Sequence, residues 1–236
     1  MPKQCQEIIN TFKNLGDEAV AKHSSRFFKT GIGEYGEGDL FLGIRVPVIR
    51  KQINHFSHLT LKEITVLLQS PYHEIRLFSV LMLVDRYSKA PDKEKGIVCR
   101  LYLNNLKYIN NWDIVDSSAS YIVGDYLLDK DRSRLYKLAK SKNIWQRRIA
   151  IMATFQFIKH YQFEDSLKIS KLLLRDKDDL IHKATGWMLR EIGNRDIQVE
   201  ERFLKKHYQD MPRTMLRYAI EKFPEKKRKA YLNGRL

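Results

Sequence analysis

The chain has 236 residues, 43% of them hydrophobic, and no apolar run long enough to cross a bilayer, so a membrane-spanning helix is not expected. Its two cysteines, Cys5 and Cys99, rule out a disulfide-framed domain and read as reduced thiols; the opening MPKQCQEIINTFKN has no apolar signal core, which points to the cytoplasm. Lys and Arg number 43 against 28 Asp and Glu, a formal +15, and an excess of that size points to a polyanionic partner such as nucleic acid.

Taken in chain order, residues 1–30 read as N-terminal helices. Residues 31–46 read as a loop, with five glycines among residues 31–43, and as a mobile connection. The loop lacks the Gly-Lys-Ser/Thr ending of a phosphate cradle and carries Glu34, Glu37 and Asp39, which repel phosphate. Residues 47–223 read as helical repeats. EITVLL (63–68), IRLFSVLMLVDRY (75–87), DIVDSSASYIVGDYLL (113–128), RRIAIMATFQFIKHY (147–161), SLKISKLLL (166–174) and LIHKATGWMLREIG (180–193) all place apolar residues at i, i+3 and i+4. Pro2, Pro47, Pro71, Pro91 and Pro212 suit helix starts, where the missing N–H costs nothing. The basic tail, 224–236, reads as a frayed end without a site. The fold class is therefore all-α in one domain, 1–236.

The helices recur. Arg76, Trp112, Arg148 and Lys183 fall at steps of 36, 36 and 35, each near the start of an apolar helix, with Arg213 following after 30. Helix pairs repeating at about 35 residues are the signature of a right-handed α-solenoid of HEAT-like repeats, here with a basic concave face lined by the second helix of each pair. In that register Arg148 and Lys183 continue the row of Trp112, and Trp187 continues the row of Asp116. On a helical wheel centred on Val115, Ala119, Ile122 and Tyr126 fall within about 40°, while Trp112 lies near 60° and Asp116 near 100°. Asp116 is thus expected at the margin of the core face, half screened from water.

Two plainer readings stand beside the functional one. Trp112, Trp145 and Trp187 can each be packing residues, and Trp145, which has no polar company in the register, is assigned to the core. Asp116 can be a salt-bridge partner of Arg148, while a helix-start carboxylate fits Asp113 better. Arg147, Arg148, Lys183, Arg190 and Arg195 form a basic run beside the expected wall and suit phosphate contacts. The seven histidines show no metal-ligand spacing and read as surface or capping residues; no metal and no cofactor is expected. Ser117 and Ser118 have no evident His partner for a hydrolase triad.

A half-buried carboxylate flanked by tryptophans on a basic wall fits cleavage of the N-glycosidic bond of a cationic alkylated purine. The leaving base is already charged, the sugar oxocarbenium needs a nearby anion, and indole faces attract cations. FLGIRVPVIRK (41–51), NNWDIVDSSASYIVGDYLL (110–128), NIWQRRIAI (143–151) and KATGWMLREIG (183–193) together resemble the AlkD-type family of DNA glycosylases, the HEAT-like-repeat DNA alkylation repair enzymes, over about residues 20–223. The resemblance implies that Asp116 is catalytic, acting on the deoxyribose and its attacking water, and that Trp112, Trp187 and Arg148 hold the lesioned backbone. Lys183, Arg147, Arg190, Arg45 and Phe27 fall where phosphate and backbone contacts are expected. It also implies excision of N3- and N7-alkylpurines from double-stranded DNA without base flipping, against the general habit of glycosylases. An enzyme that repairs one lesion at a time is expected to be a monomer. Two departures stand out: Phe27 occupies a place where members often have tyrosine, and the glycine-rich insertion is longer than theirs. A silent DNA-structure binder and a protein-binding scaffold are the alternatives to a monofunctional glycosylase.

Overall fold

In the computed structural model, which describes residues 1–235, every regular element is helical. Among those residues there are fourteen α-helices and no strand, apart from an isolated bridge between Leu40 and Tyr72. No helix is long and apolar enough to cross a membrane. The residues pack as two compact units, Met1–Ser118 and Ala119–Leu236.

The first unit holds α1 (Lys3–Asn14), α2 (Glu18–Phe27), α3 (Val46–His55), α4 (Leu61–Leu68), α5 (His73–Lys89), α6 (Asp92–Asn104) and α7 (Trp112–Asp116). Local chemistry sets their starts. Asp17 caps α2 by accepting from the Val20 N–H, Thr60 and Glu63 form a reciprocal capping box on α4, and Pro2 and Pro91 stand as N-caps of α1 and α6. α5 is buried almost all round, Ile75, Phe78, Val80 and Leu83 being fully enclosed, and it is the pillar against which α3, α4, α6 and α7 pack. Cys5 and Cys99 are buried thiols.

The second unit holds α8 (Ser133–Ala139), α9 (Ile144–Lys159), α10 (Glu164–Leu172), α11 (Asp179–Gly193), α12 (Ile197–His207), α13 (Arg213–Ala219) and α14 (Glu225–Leu232). α9, α11 and α13 pack in succession, with α8 and α10 against α9. Asn143 and Asp196 cap α9 and α12. Trp145 is buried, as expected of a core residue.

Three expectations need correction. The glycine-rich segment is not a slack tether at its C-terminal end. The Glu74 carboxylate, in the first turn of α5, accepts from the backbone N–H groups of Leu42 (3.0 Å), Gly43 (2.8 Å) and Ile44 (3.3 Å), and Asp39 is buried. Glycine is needed at 43: φ is +81°, and a Cβ would lie 2.0 Å from the Asp17 carbonyl oxygen. Glu34 and Glu37 close the tip internally, accepting from Gly31 N–H and Gly33 N–H.

Next, residues 113–128 are not one helix. α7 ends at Asp116, and the Ser117 and Ser118 hydroxyls turn back onto the carbonyls of Asp113, Ile114 and Val115, a competition that interrupts helices. A π-helical turn follows at Ser120–Gly124, where Gly124 meets the Ala153 carbonyl so closely that a Cβ would lie 2.2 Å from its oxygen. Finally, the basic tail is not frayed at residues 225–232. α14 docks through Tyr231, which is buried among Tyr208, Phe223 and Leu204, and Lys227 pairs with Glu201.

Candidate active site

α7 is short, and its position is set by side chains. Asn111, fully buried, caps it by accepting from the Trp112 N–H at 2.8 Å, while its amide donates to Asp39 at 3.4 Å. Asp113, in the first turn as expected, does more than meet the helix dipole: its Oδ2 lies 2.8 Å from Nε2 of His73. His73 is only 2% exposed, so it is neither a surface nor a simple capping histidine. Its Nδ1 lies 3.5 Å from Oδ2 of Asp39, whose Oδ1 pairs with Arg76 at 2.7 Å. Burial alone would push the imidazole pKa down; the Asp113 charge and the hydrogen bonds to Asp113 and Asp39 outweigh it and raise it to about 9. Burial likewise raises Asp39, but the His73 hydrogen bond and the Arg76 charge prevail and hold its carboxyl below the ordinary value.

Trp112 is half-buried in a set of rings. Phe28 stacks on it at 5.3 Å, Phe27 meets it edge-on at 6.0 Å, and Phe28 also stacks on Phe41 at 5.1 Å. Phe27 itself is 59% exposed. Asp116, one turn beyond Trp112, is half-buried, while Ile114 and Val115 beside it are fully enclosed. Beneath that turn the Tyr102 hydroxyl and Ser118 Oγ hydrogen-bond at 2.9 Å. Burial, with a further push from the Asp116 charge, keeps the phenol neutral far above its usual range. Arg45, exposed at the N-cap of α3, lies at an open cleft with Ala19, Val20, His23 and Ser24.

In the second unit, Arg148 is only 5% exposed and donates to the Leu180 carbonyl, so little of its guanidinium is open to solvent. Lys183 pairs with Asp179 at 2.8 Å and is half-exposed. Trp187, one turn later on α11, is half-exposed, donates Nε1–H to Glu191 at 3.2 Å and lies 6.3 Å from Phe155. Arg190 pairs with Glu221. Arg147 is placed differently from expectation. All five of its donors are engaged, with Asp176, Asp178 and the carbonyls of Ser141 and Lys142, so it is an internal clamp rather than a phosphate contact.

The repeat register also shifts by a few residues at α7. Counted from the helix starts, Arg148 and Lys183 are both fifth residues, and the fifth residue of α7 is Asp116, not Trp112. Arg76 is a fourth residue, which matches Arg147 and His182 rather than Arg148. The 35-residue spacing holds across α9 and α11, whereas α7 starts late, after the 3₁₀ turn at Leu106–Tyr108, and so falls out of step with it. His73 was missed because a lone histidine before an apolar run carries no motif.

Among the described residues no three His, Cys, Asp or Glu side chains converge to hold a metal ion; Asp39 and Asp113 lie at opposite ring nitrogens of His73. The sequence profile of the family described as DNA alkylation repair enzyme matches residues 8–223. The chain belongs to the DNA alkylation repair enzyme family. Its fold is similar to that of a solved structure titled "Predicted DNA alkylation repair enzyme from Enterococcus faecalis", with a TM-score of 0.68 at 16% identity, over 89% of this chain and 97% of that one. No curated protein sequence matches significantly. For a DNA alkylation repair enzyme, the +15 charge has a ready partner in DNA.

Proposed function

We propose that the chain is a monofunctional DNA glycosylase of the AlkD type. It hydrolyses the N-glycosidic bond of cationic N3- and N7-alkylpurines in double-stranded DNA, without flipping the base, as a monomeric α-solenoid with a basic concave face. The observation that carries this reading is Asp116: a half-open carboxylate one turn from half-open Trp112, with Ile114 and Val115 between them enclosed, in a chain of the DNA alkylation repair enzyme family. Hydrolysis of a charged alkylpurine asks little of a general acid, because the base leaves neutral. It asks for an anion beside the developing oxocarbenium and for a water directed at the anomeric carbon, and one carboxylate can supply both. Trp112 and exposed Phe27 offer apolar faces to the lesion and its sugar. Lys183 and Trp187 offer the larger contacts to the DNA backbone, Arg148 a narrow guanidinium edge, and Arg45 a phosphate contact. Arg190 is proposed for a phosphate only on release from Glu221.

The test is release of 7-methylguanine and 3-methyladenine from methylated duplex DNA, wild type beside Asp116→Asn. Removing one such electrostatic group is expected to slow release about 10²- to 10³-fold. Equal release by both proteins would remove Asp116 from the chemistry. No release by folded wild type, with salt-dependent duplex binding retained, would leave a silent DNA binder.

A further inference from the structure

We propose that His73, held as an imidazolium between Asp39 and Asp113, is a positioning residue that fixes Trp112 and the turn bearing Asp116 by tying the glycine-rich loop to the first turn of α7. The proposal deepens the glycosylase reading and rests on it for the reaction, though not for the geometry.

Three chain segments meet at this ring. Asp39 comes from the loop, His73 opens α5, and Asp113 is the second residue of α7. A neutral imidazole has one N–H and one lone pair, so with a carboxylate at each nitrogen one of them would face a lone pair; both contacts are favourable only when the ring is protonated. Charge gives the same answer. Every charged side chain facing the ring can be named: Asp39 from the loop, Asp113 from α7, and Arg76 one turn along α5. Glu74 turns to the backbone N–H groups of Leu42, Gly43 and Ile44 instead, and Asn110 and Asn111 bring only neutral amides to Asp39. Two carboxylates against Arg76 alone would leave a buried negative charge, and a protonated His73 cancels it. The raised pKa of about 9 agrees with that balance.

The ring reaches Trp112 by two routes. One is the backbone, since Asp113 follows Trp112 directly. The other is aromatic: Phe41 stacks on the imidazole at 4.6 Å, Phe28 lies at 4.8 Å, and Phe28 in turn stacks on Trp112. A cation against aromatic faces is held by their quadrupoles as well as by the carboxylates. Loss of the proton would weaken both routes at once.

Two measurements on the intact chain test this. Nitrogen-15 NMR of the His73 ring is expected to show both nitrogens protonated from pH 6 to 8, with a transition near pH 9 that the Trp112 indole resonance follows. A neutral tautomer at pH 7, or an indole resonance indifferent to the His73 transition, overturns the proposal. Single-turnover base release from methylated duplex is expected to fall about 10- to 100-fold in His73→Gln and Asp113→Asn, because misplacement of reacting groups by about 1 Å costs that much. DNA affinity should stay near that of wild type. The alkaline limb of the wild-type rate should lie near pH 9 and move to lower pH in Asp113→Asn, a shift that simple loosening of the fold does not produce. Unchanged rates in folded variants, or a limb that stays put, overturn it. Wild type that releases no base defeats the glycosylase reading instead, and the NMR titration still judges whether His73 holds Trp112.

Discussion

At the start of α5, Arg76 donates to the carbonyls of Ser70 and Pro71, six and five residues before it. At the start of α9, Arg147 donates at the same offsets to the carbonyls of Ser141 and Lys142. Each arginine is the fourth residue of its helix, and each folds back to lash the helix to the turn that precedes it. The carboxylates differ. Arg147 takes Asp176 and Asp178 from the turn ahead of α11, so every one of its donors is engaged. Arg76 shares Asp39 with His73, and its Nε has no partner. The same local device is thus closed by carboxylates alone in the second unit and shared with a titratable histidine in the first, where it sits beside the proposed catalytic turn.

The comparison is broken most directly by removing the arginines. Arg147→Met leaves Asp176 and two carbonyls poorly satisfied and is expected to cost about 3–5 kcal/mol in urea denaturation, the range for stripping one partner from a buried ion pair. Arg76→Met should cost clearly less, because His73, Asn110 and Asn111 still serve Asp39. A larger loss for Arg76→Met would mean that the histidine does not share the load.

Titration separates the two units next. The folded His73 pKa, about 9, lies above the ordinary imidazole value of 6.5. Its contribution is therefore complete below pH 6.5 and is lost as pH rises through about 9, a change on the order of 3 kcal/mol from the shift. His73→Gln should flatten the stability curve in that window, and a curve with its wild-type slope there would contradict the imidazolium. Glu200, in α12 of the second unit, shows a different origin for a similar slope. It is buried without a cation paired to it, and burial, with a further push from Glu201, raises its carboxyl to about 8 from 4.5. Native protein then holds a proton that the unfolded chain releases, so stability declines as pH rises from 4.5 to 8. Glu200→Gln is expected to stabilise by on the order of 2 kcal/mol at pH 8 and by little at pH 4.5; equal effects at both would sink this account.

These contrasts also mark what could be seen in the sequence. Apolar periodicity located the buried faces of α5, α9 and α11, because burial on a helix imposes its period on the residues. The half-buried margin at Trp112 and Asp116 was legible for the same reason. Arg147 and Arg148 could not be told apart, since adjacent basic residues look alike until the preceding turn shows which one folds back. The break after Asp116 depends on hydroxyls choosing carbonyls over solvent and on Gly124 against α9, which a wheel at about 100° per residue does not contain. Nor was the pairing of Asp39 with His73 visible: its partners are 34 residues apart and meet only because Glu74 pins the loop between them.

The smallest expected effect asks whether the lashing at α9 is one unit or two. Asn143 Oδ1 accepts from the N–H groups of Trp145 (2.8 Å) and Gln146 (3.2 Å), while α5 has no side-chain cap at the matching Tyr72 and starts instead from the His73 N–H bonded to the Leu40 carbonyl at 2.8 Å. Asn143→Ala should therefore cost about 1 kcal/mol, with no counterpart at Tyr72. Asn143 and the carbonyls held by Arg147 belong to the same three-residue turn, 141–143. If cap and arginine hold one rigid turn, the double variant with Arg147→Met should lose less than the sum of the two, by about 0.5–1 kcal/mol. Strict additivity would show instead that the cap secures only the helix end and the arginine only the carboxylates of the next turn.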